Sequence, residues 1–192
     1  MQSLCEQIAD EILVMDAQRG RRAAFDMLVS RWQKRLWRHA FNLTERTEAA
    51  WDITQEGWFD IVRGLNRLKD PDKFGAWAYR IVSNKAYDWR CRNRRERLSQ
   101  DEPEVTPSVA AEHGKHETAS DVHDIIRRLP TGAQVVLYLY YLEGFGLAEI
   151  AAILGKPEGT VKSRLHAARI EFRKQWESLG AIPPEANPAS GR

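Results

Sequence analysis

The sequence predicts an all-α protein: two small helical domains joined by a flexible linker, the second of them a helix-turn-helix. Three observations carry this reading. Apolar residues recur at helical spacing from Leu4 to Trp89, with no convincing alternating run. Between Leu98 and Ser120 the composition shifts to "LSQDEPEVTPSVAAEHGKHETAS", rich in small polar residues and poor in apolar periodicity. Helical patterning then resumes from Asp121 to about Leu179, interrupted by Gly155-Lys156-Pro157. A chain of 192 residues can bury two modest cores. The expected divisions are residues 1–97, a linker at 98–120, residues 121–179, and a disordered tail at 180–192, "GAIPPEANPASGR".

Within the first block the pattern predicts helices over about Ser3 to Asp16, Arg22 to Leu43, Thr47 to Leu65 and Pro71 to Arg95. Thr47 is expected to cap the third, with Glu48 and Asp52 near its positive end. Phe25, Leu28, Trp32, Leu36, His39 and Ala40 share one face of the second helix and are expected to pack, as are most of the seven tryptophans. Trp58 and Phe59 fit a core position as well as a surface one. In the second block, Leu129, Val135, Val136, Leu139 and Leu142 are expected to support the helix-turn-helix. The run "VVLYLYYL" is ambiguous by itself and is read as helix from its all-helical context.

Leu147, Ile150, Ala151 and Leu154 form an apolar stripe on a short helix; after the Gly-Lys-Pro break a longer helix begins. This is the arrangement that presents a helix to the major groove of DNA. At about 100° per residue, Val161, Leu165, Ala168, Phe172 and Trp176 fall on one inward face. The opposite face starts at Glu158 and carries Gly159, Thr160, Lys162, Ser163 and His166, flanked by Arg164, Arg169 and Arg173. Middle positions can meet base edges and flanking arginines phosphates.

The charge balance, 29 Lys and Arg against 27 Asp and Glu, is uninformative. Its distribution is not: basic runs at Lys85 to Arg97 and Lys156 to Lys174 flank an acidic stretch at Asp101 to Asp121. Two nucleic-acid contacts on a tether would look like this, and so would ordinary solvated helix faces. Cys5 and Cys91 are too few for a disulfide or metal framework. No run of membrane-spanning length and no leader pattern is present, so a cytoplasmic protein without membrane insertion is expected.

The run "EIAAILG" followed by "GTVKSRLHAAR" resembles the carboxy-terminal DNA-binding domain of bacterial sigma factors, above all the extracytoplasmic-function class. Response regulators share a related helix-turn-helix, and "DITQEGWF" in the first block discriminates. It resembles the sigma-factor helix that docks on the clamp helices of the largest subunit of RNA polymerase. Asp52, Gln55 and Glu56 lie at i, i+3 and i+4, on one face, where they can make charge-assisted bonds to a basic partner helix. Further on, "DKFGAWAYRIVSNKAYDWRCRNRRER" resembles the family's helix for recognising and opening the minus-ten element. On the wheel Phe74, Trp77, Ala78, Ile81 and Trp89 cluster on one side, leaving Tyr79, Ser83 and Arg90, with Arg80, toward DNA. By position alone, the family's base-capturing loop would be Asn66 to Asp72, with Asn66, Arg67, Lys69 and Asp70. Trp51 and the pair Gly57-Trp58 depart from the family's usual residues.

The resemblance implies core RNA polymerase as partner, through its clamp helices and the flap of its second subunit. It also implies promoter DNA, read at minus thirty-five by the helix from Glu158, and an anti-sigma factor. It implies no cofactor and no enzymatic activity. Two histidines among "EHGKHE", with Asp121 and His123, could hold a metal, but they lack the HExxH order and sit in the linker, so none is expected. Two other readings remain open: a helix-turn-helix regulator that binds duplex DNA unaided, and a helical adaptor that binds protein only.

Overall fold

The computed structural model describes residues 4–99 and 117–178. The histidine-rich stretch, most of the expected linker and the tail fall outside the described residues. Helices α1 (Leu4–Gln18), α2 (Arg22–Thr44), α3 (Thr47–Gly64) and α4 (Phe74–Ser99) make the first half, with two short 3-10 turns, Leu65–Arg67 and Pro71–Lys73, between α3 and α4. The second half is α5 (Glu117–Arg128), α6 (Thr131–Leu137) with a π-helical turn at Tyr138–Leu142, α7 (Leu147–Leu154) and α8 (Glu158–Ser178). No strand occurs among the described residues.

Helix α2 is the central member of the first half. Leu28, Trp32, Leu36, His39 and Ala40 are buried along it, as the helical period predicted. Trp32 meets Phe74 edge-on at 5.4 Å between centroids and Tyr79 at 6.3 Å. Such pairs add about 0.5–1.5 kcal/mol beyond burial. His39 is enclosed and shares a 2.8 Å hydrogen bond between its Nε2 and Ser83 Oγ. Of the tryptophans only Trp32 is fully buried; Trp51 is 49% exposed and the others are partly covered.

Two sequence expectations fail locally. Thr47 does not cap α3: Arg46 occupies the cap position, Thr47 is already helical, and no side chain caps the helix. The chain reaches this start through Glu45, in the left-handed region at φ 57°, whose N–H closes α2 on Phe41 O at 2.7 Å. Leu142 is exposed rather than packed, and Phe59, which fitted either position, is exposed. Each lies on a helical turn whose inner face is already filled, Leu142 beside buried Leu139 and Phe59 opposite Ile61.

The two halves do not stand apart. Helix α7 lies along α4, α6 approaches α2, and the buried residues of both halves form one continuous cluster.

Burial lowers the pKa of His39 from 6.5 to about 3, so the fold holds it neutral while the unfolded chain takes up a proton. The unfolded state binds the extra proton between those values, so stability is lost as pH falls below about 6.5. Unfolding by denaturant at pH 7 and pH 5 is expected to differ by about 2 kcal/mol from this group alone, and His39→Gln should remove that part of the slope.

Candidate functional site

Helix α3 divides cleanly. Ile53, Thr54, Gly57 and Ile61 are buried, and Asp52, Gln55 and Glu56 are exposed together on the opposite face. The face continues into Phe59, 58% exposed, and Val62, 54% exposed, at the next helical positions. An acidic edge thus runs into an apolar one. Sequence reasoning stopped at the polar residues; the i+3 and i+7 spacing of Phe59 and Val62 from Glu56 and Gln55 was the available signal.

The glycine of the motif has a packing reason. A Cβ on Gly57 would lie 3.1 Å from Val82 Cγ2, so α3 and α4 approach as closely as they do because position 57 has no side chain. Lys85 of α4 reaches across this contact, to Asp60 at 2.8 Å and Glu56 at 3.4 Å. Partial burial opposes its charge, but Asp60 and then Glu56 outweigh that, and its pKa is raised. Lys85 therefore supports α3 rather than belonging to a free basic run.

Beyond α3, Asn66, Arg67, Lys69 and Asp70 are exposed on the loop. Gln18, which the sequence did not single out, fastens this loop to α1: its Nε2 donates to Leu65 O at 2.9 Å and Leu68 O at 2.8 Å. On α4, Arg80 and Arg90 are exposed, and Arg90 also donates to Leu43 O at 3.3 Å. Tyr79 and Ser83 are a correction. They are 1% and 0% exposed, Ser83 bound to His39 and Tyr79 edge-on to Trp32, His39 and Phe145. Their face is closed by α2 on one side and by the second half on the other, a pairing that the period of α4 cannot reveal. Burial, with Glu143, raises the Tyr79 pKa well above its ordinary value, Arg35 opposing.

In the second half, α7 ends at Gly155 in the left-handed conformation, and α8 begins after Pro157. Glu149 accepts the Gly146 N–H at 2.9 Å and fixes the start of α7. Val161, Leu165 and Ala168 are buried, and Phe172 and Trp176 are half-buried and stacked, as predicted. Glu158, Gly159, Lys162, Ser163, Arg164, His166, Arg169 and Arg173 are exposed, and Thr160 is half-exposed. Gly159 faces open space, and Ser163 Oγ donates back to Thr160 O at 3.0 Å. Two flanking arginines are held sideways: Arg169 Nε donates to Tyr141 OH at 2.8 Å and lies over the Tyr140 ring, and Arg173 donates to Glu177 at 2.7 Å. Aimed this way, they can serve phosphates more readily than base edges.

Comparison with known proteins places both halves. Residues 28–96 match the family description "Sigma-70 region 2" and residues 119–171 match "Sigma-70, region 4". The RNA polymerase sigma-H factor of Pseudomonas aeruginosa is 29% identical over 90% of this chain and 96% of its own. The ECF RNA polymerase sigma-E factor of Haemophilus influenzae is 28% identical over 92% of this chain and 100% of its own. Among solved structures, CnrH in complex with the cytosolic domain of CnrY is 28% identical, with TM-score 0.58 over 88% of this chain and 98% of CnrH. The sigma factor RpoE, in complex with the anti-sigma factor NepR from Bartonella quintana, shares the fold at TM-score 0.66 and 22% identity, over 80% of this chain and 96% of its own.

The close approach at position 57 is testable. Gly57→Val should destabilise the protein by about 1–3 kcal/mol in denaturant unfolding through overpacking, and adding Val82→Ala should recover part of it. Full additivity of the two changes would contradict the contact.

Proposed function

The chain belongs to the sigma-70 family, as a sigma factor of the extracytoplasmic-function class that directs promoter-specific transcription initiation, and on that premise we propose which of its surfaces does each part of the work. The observation that carries the proposal is the divided α3: an exposed face of Asp52, Gln55, Glu56, Phe59 and Val62, rigidly backed by α2 and α4, on the same chain as a basic helix-turn-helix. A stand-alone regulator or an adaptor has no use for both.

The α3 face docks on the clamp helices of the largest polymerase subunit. Asp52 and Glu56 make charge-assisted bonds to basic side chains there, and Phe59 and Val62 bury against apolar ones. The first half then meets the minus-ten element. Asn66, Arg67, Lys69 and Asp70 form the loop that receives an unstacked base, and Arg80 and Arg90 contact the backbone. The second half reads the minus-thirty-five element through α8. Its free N-terminal amides favour a phosphate, Lys162, Ser163 and His166 face the groove, and Arg164, Arg169 and Arg173 hold the flanks. The flap of the second subunit carries this half. Each contact alone can be weak, because a common scaffold raises the effective concentration of the second. The protein works in the cytoplasm, and no helix among the described residues is long and apolar enough to cross a membrane. A protein partner of the anti-sigma kind regulates it; the complex of CnrH with the cytosolic domain of CnrY supports that part of the reading.

Run-off transcription by core polymerase from a genomic fragment library, with and without this protein, tests the whole. Transcripts sharing a two-element upstream sequence are expected, lost with Asp52→Ala plus Glu56→Ala and reduced about tenfold or more with Phe59→Ala, a truncation on the scale of an interface hot spot. Dependence on this protein that survives all three changes would remove the docking assignment.

A further inference from the structure

The loop between α3 and α4 is held at its ends by packing and at its middle by a side chain from α1. At its start, Gly64 lies so close to Trp77 of α4 that a Cβ there would come 2.8 Å from the ring's Cζ2. At its end, Phe74 is buried and Lys73 N–H closes the second 3-10 turn on Asp70 O at 3.0 Å. Between these points Leu68 N–H closes the first turn on Leu65 O at 3.1 Å. Gln18 Nε2 donates to that same Leu65 O at 2.9 Å and to Leu68 O at 2.8 Å.

A side-chain amide carries two N–H groups, and here both are spent on carbonyls three residues apart. A single 3-10 turn is weakly held by its own hydrogen bond, so a second donor matters to its shape. Leu65 is 4% exposed and Leu68 half-buried, whereas Asn66, Arg67, Lys69 and Asp70 are exposed. The tether thus grips the backbone on either side of Asn66 and Arg67 and leaves their side chains outward. Gln18 is itself carried by a fixed arm. It ends α1, whose Val14 is fully buried and whose Asp10 accepts Arg31 Nε of α2 at 2.7 Å. Asp16 accepts Arg21 at 2.7 Å and Arg19 at 3.4 Å around the turn at Gly20, φ 83°.

Two hydrogen bonds of this kind could simply add to stability, and their loss would then reduce every function of the chain together. Their address argues for more. They end on the backbone of the segment whose exposed side chains are assigned to the unstacked base, 47 and 50 residues away in sequence, rather than on the core. A base entering a preformed loop has less freedom to remove. A loop that must first find its shape binds the base more weakly, by the fraction of molecules already in that shape. Unstacking is costly in itself, so such a loss falls on promoter opening.

We infer that Gln18 is a positioning residue for promoter opening: from the end of α1 it holds the backbone at Leu65 and Leu68 in the shape that receives the unstacked base of the minus-ten element. It touches no base and acts through Asn66 and Arg67. Helix α1 lies outside the residues 28–96 that match region 2, and this gives it a part in opening DNA. The inference rests on the reading of this loop as the base-receiving one.

The test is a cycle of binding measurements on the full chain in complex with core polymerase. Single-stranded oligonucleotides carry the minus-ten element of a promoter recovered by run-off transcription, each with one base removed in turn. For the parent, removal at one position is expected to weaken binding about tenfold or more, the scale of a base stacked in a protein site. Gln18→Met keeps the length of the side chain and removes both donors. It should bind the intact strand about fivefold more weakly, and the strand lacking that base as the parent does. Binding is scored per polymerase-bound molecule, so a loss of folded protein drops out of the ratio. Equal weakening on both strands, or none on either, would overturn the role of Gln18 while the parent still showed its base dependence. If no base removal weakened the parent, or the parent took up no strand, the reading of the loop would fall and the inference with it.

Discussion

Helix α4 is enclosed on three sides, and the rest of the molecule is arranged around that enclosure. Trp32 from α2 covers Phe74 and Tyr79, Val82 meets the bare backbone of Gly57 in α3, and Phe145 closes the remaining flank from the second half. Because α3 is seated on α4 without an intervening side chain at position 57, its outward face is fixed in orientation. Lys85 then ties Asp60 and Glu56 to the same support. If this face of exposed carboxylates and a phenyl ring docks as proposed, such rigidity favours affinity, since less freedom is lost on binding.

The inner and outer surfaces answer to different physics. Within the first half the enclosed contacts are largely aromatic and aliphatic, and His39 and Ser83 form an enclosed polar pair that stays neutral. Between the halves an ion pair, a hydroxyl to a carboxylate and an aromatic ring join the packing of α7 along α4.

Much of this was legible in the residues. The 3.6-residue period located α2 and its buried face, the inward stripe of α8, and the shared face of Asp52, Gln55 and Glu56. Periodicity says which residues of one helix go together; it does not say what comes to cover them. The wheel of α4 sets Tyr79 and Ser83 opposite the apolar cluster and so toward DNA, whereas His39 satisfies Ser83 and Phe145, 66 residues away, shields Tyr79. Phe59 fitted core and surface alike from its spacing, and only the filled neighbouring face decides that it lies outside. Gln18 and Glu45 carried no pattern at all, since their partners, Leu65, Leu68 and Thr131, are set by tertiary contacts alone.

The central claim is that this chain and core polymerase together recognise two promoter elements and open the duplex between the second element and the start site. Footprinting of a promoter fragment with DNase I and with permanganate, with polymerase alone, the protein alone and both, tests it most directly. Reactive thymines at the downstream element and protection at two upstream patches, present only with both proteins, are the predicted result. Protection by the protein alone, with no unpaired thymine under any condition, would contradict it.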